Sequence, residues 1–113
     1  MIATAGRSCA SQGRCVMLTC NVEPAPDIPG YVALCSALVV ASQGATIDEA
    51  ERNIREAVLL YLVGIDEVGE LDRIFAERGL KVLQADSFKT QQVRTVDGNG
   101  VVFADLFPIE HAA

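Results

Sequence analysis

Ser42-Gln-Gly-Ala-Thr46-Ile-Asp-Glu49-Ala-Glu-Arg-Asn-Ile54-Arg-Glu-Ala-Val58-Leu-Leu-Tyr-Leu-Val63 is the stretch on which the fold turns. Thr46-Ile-Asp-Glu49 matches a helix capping box. The Thr46 hydroxyl can accept from the third helical N–H while Glu49 reaches back to the Thr46 N–H. Ile47, Ala50, Ile54, Ala57, Val58 and Tyr61 then recur at steps of three and four, which is one face of a helix. Asp48 with Arg52 and Glu51 with Arg55 are spaced as i,i+4 ion pairs on the outer side. Gly44 and Ala45 give the chain room to leave a strand and enter this helix, and Gly64 is where the helix is predicted to break.

Upstream of the helix the pattern changes to strands. Residues 1–14 are small and polar and read as a loose tail. Cys15-Val-Met-Leu-Thr-Cys-Asn-Val22 is a short apolar run with β-branched members, predicted as a strand. Glu23-Pro-Ala-Pro-Asp-Ile-Pro-Gly30 carries three prolines and a glycine and must be a connection. Tyr31–Cys35 and Leu38–Ser42 follow as second and third strands, and the short Ser36-Ala37 link implies antiparallel neighbours.

Downstream, Asp66 can cap a second helix, with Glu67 and Glu70 in its first turn, where the helix dipole favours acids. Leu71, Ile74 and Phe75 form its apolar stripe, and Gly79-Leu80 reads as a Schellman stop. Lys81–Ala85 is a fourth predicted strand. Val93-Arg-Thr-Val96, the turn Asp97-Gly-Asn-Gly100 and Val101–Phe107 make a hairpin ended by Pro108. Strands first, then helices, is an α+β plan: a small, mostly antiparallel sheet with helices on one face, plus a C-terminal β-hairpin. The chain divides into a tail (1–14), a central module (15–85) and a hairpin extension (86–113).

Composition narrows the function. At 113 residues there is room for one small domain. Nine basic against fifteen acidic residues leave a net charge of −6, which argues against direct nucleic-acid binding because phosphate contacts need clustered Lys and Arg. The longest apolar run, Ala57–Val63, is far short of the roughly 20 residues that span a bilayer. The first residues lack the basic start and long apolar stretch of a secretory signal, so the expected compartment is the cytoplasm. Cys9, Cys15, Cys20 and Cys35 contain no C-x-x-C spacing and no neighbouring His, so they are expected to be reduced structural thiols rather than a metal site.

Catalytic chemistry has little footing. His111 is the sole His and lies two residues from the end of the sequence. Ser42 lies between a strand and a capped helix, but Val40-Ala-Ser-Gln-Gly44 is not the G-x-S-x-G of a nucleophile elbow. Paired carboxylates for metal-dependent hydrolysis would sit at inward strand positions, and no predicted strand supplies a pair. No enzyme, no cofactor and no metal are expected. The apolar segment Ala57–Val63 is a different matter. A helix lying on one sheet buries only a stripe, so the remaining sides must be covered by the second helix, the tail or another subunit. A two-stranded hairpin is marginal alone and must add to this sheet or a neighbour's. These segments nominate Leu59, Leu60, Val63, Val101 and Phe103 as an oligomer or partner interface.

Tyr31-Val-Ala-Leu-Cys35, Leu38, Ser42-Gln-Gly44, Thr46-Ile-Asp-Glu-Ala50, Asn53-Ile54, Glu56-Ala57 and Leu60-Tyr61-Leu62 together resemble the HicB family. The likeness covers about residues 15–85 and continues through Gly69-Glu-Leu71 and Glu77-Arg-Gly79. It implies a partial ribonuclease-H-like fold without nuclease activity. It further implies an antitoxin that blocks a small basic RNA-cleaving toxin of the HicA type. Ser36 stands where the family pattern has Pro, and residues 86–113 offer no helix pair for the DNA-binding domain that many members carry. The alternative reading is a stand-alone homo-oligomeric module.

Overall fold

The first strand organises the molecule. In the computed structural model of the chain, which describes residues 13–84 and 93–109, β1 (Arg14–Pro24) pairs antiparallel with β6 (Gly100–Pro108) along one edge, from Cys15↔Pro108 to Val22↔Val101. Its other edge pairs with β2 (Tyr31–Cys35) through residues 21–24 and with the two-residue β4 (Leu83–Gln84) through residues 14 and 15. Among the described residues, 16–20 of β1 have no strand partner on that second edge. β3 (Val40–Gly44) pairs with β2, and β5 (Val93–Asp97) with β6, so the sheet runs β3-β2-β1-β6-β5 with every described pairing antiparallel.

Two helices cross one face. α1 (Ile47–Glu67) and α2 (Leu71–Arg78) cover the side on which Val16, Leu18, Cys20 and Val22 alternate inward along β1. From α1, Ala50, Ile54, Val58 and Leu62 are fully buried against this side, and α2 contributes Leu71 and Phe75. β6 adds Val101, Phe103 and Phe107 to the same core. At roughly 25 cal/mol per Å² of apolar surface, burying side chains of this size supplies about 1.5–3 kcal/mol each before conformational entropy is charged against it. Cys15 and Leu106 form a smaller cluster with Met17 and Leu83 packed against it.

The α+β plan, the Thr46 N-cap and the hairpin turn stand as predicted, and several boundaries differ. The link between the second and third strands is a four-residue turn, Ser36–Val39, because Leu38 leaves the strand to bury in the core. The helix does not break at Gly64. Leu62 and Ile65 continue its buried stripe, and that burial outweighs the roughly 1 kcal/mol that an exposed helical glycine costs relative to Ala. Asp66 is therefore inside α1, where it accepts from Arg14 Nη2 at 3.5 Å, and α2 begins after Glu70 with no side-chain cap. Leu80 N–H donates to Phe75 O at 2.9 Å while Gly79 takes φ +70°, the Schellman closure expected there. Ala85, residues 1–12 of the tail and His111 lie outside the described residues. The hairpin adds to the chain's own sheet, with β6 between β1 and β5.

Candidate functional site

The surface most unlike a plain solvated helix face lies on the outer side of α1. Positions 48, 52, 56, 60 and 64 are exposed, so the outward row reads Asp48, Arg52, Glu56, Leu60, Gly64. Val68 follows one turn beyond. Leu60 and Val68 are 68% and 70% exposed, and the space beside Gly64 is open, so an apolar ridge with a notch at its centre runs along the last two turns. Glu56 and Glu67, both exposed, flank it. Between residues 46 and 80 nine acids face four arginines, a balance of −5 that accounts for most of the chain's −6.

The five nominated interface residues divide. Leu60 is on the ridge, and Val63 is half-buried beside it. Leu59 is half-buried and packs on the core. Val101 and Phe103 are not surface residues: at 2% and 1% exposure they are part of the core beneath α1. Because β6 joins β1 within the chain, their faces are already covered and are withdrawn as interface residues. Internal packing likewise accounts for most of Ala57–Val63, with Val58 and Leu62 buried and Leu60 the one exposed residue of the run.

The motif at residues 42–53 builds the strand-to-helix corner. Thr46 Oγ1 accepts from the Glu49 N–H at 3.1 Å, and Glu49 Oε1 accepts from the Ala45 N–H, one residue earlier than the capping box predicts. Asn53 Nδ2 donates to Gln43 O at 2.7 Å, tying the helix's second turn to the end of β3. A Cβ on Gly44 would approach Ala50 N to 2.5 Å, so only glycine lets the strand come this close to the helix. A shallow open groove of about 540 Å³ lies over the corner, lined by Ile28, Tyr31, Ser42, Gln43, Glu49 and Asn53 among others. Its Asn and Glu side chains are spent on holding the backbone. The acid in that lining, Glu49, is the one that accepts from the Ala45 N–H, and no group of His, Cys, Asp or Glu suited to a metal occurs among the described residues.

Sequence reasoning missed a buried ion pair. Asp105 is 7% exposed and points from β6 toward the helices. It accepts from Arg55 Nη1 at 2.5 Å, and its other oxygen accepts from the Leu106 N–H at 2.8 Å. The Arg55 guanidinium also stands 4.4 Å from the centre of the Phe103 ring. The signal was available: Asp105 is in phase with Val101, Phe103 and Phe107, all inward. Arg55 is thus taken by the sheet rather than by Glu51, and Glu51 instead accepts from Arg94 Nε at 2.9 Å. One acid neutralised by a guanidinium is not a paired-carboxylate metal site.

Cys15, Cys20 and Cys35 are free thiols and fully buried. Cys35 is drawn down to about 7 because its sulfur accepts from the Cys20 thiol, and backbone N–H groups of Leu38 and Ala37 add to the effect against burial. Cys20 is pushed up by giving its proton to that bond and by burial. No helix among the described residues is long and apolar enough to cross a membrane. No known family, curated protein or solved structure matches the chain.

Proposed function

We propose that this chain is a HicB-like, non-enzymatic binding protein that neutralises a small basic RNA-cleaving toxin of the HicA type by covering it. The observation that carries this reading is the ridge Leu60–Gly64–Val68 set between Glu56 and Glu67 on a helical layer of net −5. An apolar strip rimmed by acids suits a partner with an apolar strip rimmed by Lys and Arg: burial supplies affinity, and opposite charge speeds encounter. The corner motif at residues 42–53 supports the family likeness, and with it a partial ribonuclease-H-like architecture to which the hairpin is added. On this reading the protein acts in the cytoplasm, binds no nucleic acid itself and needs no cofactor. Co-expression with the product of the adjacent gene tests it. A small basic protein should co-purify and its growth arrest should be relieved. Leu60→Glu should abolish both while leaving the fold intact. No relief of arrest, or relief unaffected by Leu60→Glu and Val68→Glu together, overturns the proposal.

A second reading, a stand-alone homo-oligomer, is favoured by the face of the sheet that neither helix covers. There Met17, Val32, Val102 and Ala104 are half-buried, Leu34 is 40% exposed, neighbouring Thr19, Asn21 and Thr95 carry no charge, and the acid Glu23 sits at one end, opposite Val32. Two copies of net charge −6 meeting on such a face would keep the acid-rich helices apart. Light scattering at micromolar concentration separates the readings, since a strict monomer excludes this one.

A further inference from the structure

We infer that Cys20 and Cys35 are a dithiol built to close into a disulfide across the β1–β2 pair. The β1–β2 ladder runs Asn21↔Leu34, Val22↔Ala33, Glu23↔Val32 and Pro24↔Tyr31. One further step in that register sets Cys20 directly opposite Cys35. Directly opposed residues of antiparallel strands have Cα atoms about 4.5–5.5 Å apart, inside the range of about 4.4–6.8 Å that a disulfide needs. Both side chains point into the core, where they are fully buried in one cluster, and the interaction between the two thiols is what splits their acidities.

Both thiols are fully buried, so a small oxidant reaches them through local opening. The pair sits just past the end of the β1–β2 ladder, where residues 16–20 of β1 have no strand partner on that edge among the described residues. The turn that follows Cys35 contains Val39 at φ +58°, a left-handed conformation that a β-branched residue adopts only under strain. Opening that turn releases strain and uncovers Cys35, so closure runs at the rate of local opening rather than at the rate of an exposed thiol.

The oxidant is a peroxide, small enough to reach a buried pair. The Cys35 thiolate attacks one oxygen of hydrogen peroxide, forming an S–O bond as the O–O bond breaks and hydroxide leaves. The Cys20 sulfur then attacks Cys35, forming S–S as S–O breaks, and its proton departs with the released oxygen as water. One peroxide accepts two electrons and becomes two waters. Cys35 is the attacking member because its thiolate is the stabilised one.

The test uses the folded wild-type chain treated with hydrogen peroxide, then denatured and alkylated. Cleavage before Asp27 separates Cys20 from Cys35, giving fragments 1–26 and 27–47. The expected result is that the two fragments stay joined until reduced, with fragmentation spectra placing the link at Cys20. Cys15→Ala should keep the link and Cys20→Ala should lose it. Oxidation without a link between the fragments overturns the proposal. So does a link that fragmentation assigns to Cys9 or Cys15, a readout needing no variant to fold.

Discussion

Consider the loss of Arg55 from the pair it makes with Asp105. Arg55→Met keeps most of the side-chain volume under the sheet but takes the guanidinium away from the part-buried Asp105 carboxylate, which still accepts from the Leu106 N–H at 2.8 Å. Breaking a fully buried pair costs about 3–5 kcal/mol because an uncompensated charge is left behind. Here the side chains are 28% and 10% exposed, so water recovers part of that, and about 2–3 kcal/mol remains. The guanidinium contact with Phe103 accounts for about 0.5–1 kcal/mol of the loss. Asp105→Leu should cost less, about 1–2 kcal/mol, since the freed guanidinium can turn toward solvent while the Leu106 N–H loses its acceptor. The double variant should return to within about 1 kcal/mol of wild type, because an apolar pair of similar volume replaces the charges. Urea unfolding followed by far-UV circular dichroism gives all four corners of the cycle, with the slope against urea unchanged if the same surface is exposed. If the double variant is destabilised by the sum of the singles, the two groups do not interact in the folded chain and the reasoning fails.

Gly44→Ala should destabilise by about 1–3 kcal/mol in thermal melts, since its new methyl meets the Ala50 backbone at 2.5 Å and neither element can yield freely; an unchanged melting temperature would contradict the tight corner. Gly64→Ala should stabilise the free chain by about 0.5–1 kcal/mol, because the added methyl meets nothing within 4 Å, while filling the notch in the ridge and weakening capture of a partner. Thiolate absorbance near 240 nm should show one group ionising around pH 7 that disappears in Cys35→Ala. The folded value of Cys35 lies below its ordinary 9.0, so the folded state holds fewer protons between the two. Its contribution to stability is therefore fully present above pH 9 and is lost as the pH falls through 7. A flat absorbance between pH 6 and 8 would refute the shift.

Much of the architecture was legible because its signals are local. The Thr46 N-cap, a Schellman glycine and the Asp97–Gly100 turn each fix backbone within a few residues, and all three are where the sequence puts them. The misreadings share a cause: tertiary contacts overrode local preference. Gly64 looks like a helix end until Ile65 is seen packing on the core. Glu51 and Arg55 look like a surface pair until Arg94 and Asp105 offer better partners from the sheet. Val101 and Phe103 look like uncovered surface while the hairpin has no known place, and become core once β6 is set beside β1. Of the candidate surface, Leu60 was readable from its position in an apolar run. The ridge needed the knowledge that α1 continues past Gly64 to bring Val68 into line.

The placement of β6 beside β1 also governs when this protein can fold during synthesis. β1 begins at Arg14 and its partner ends at Pro108, so the most extensive pairing in the sheet joins residues about 80 to 90 positions apart. Contacts of such separation are slow to form, because loop-closure entropy is lost before any pairing rewards it. Until residues 100–108 have left the ribosome, β1 carries an unpaired edge and the helices lack Val101, Phe103 and Phe107 to pack against. A nascent chain that has made both helices is thus a species with an open strand edge and an unfinished core, the state most exposed to mispairing with another copy or to capture by a chaperone.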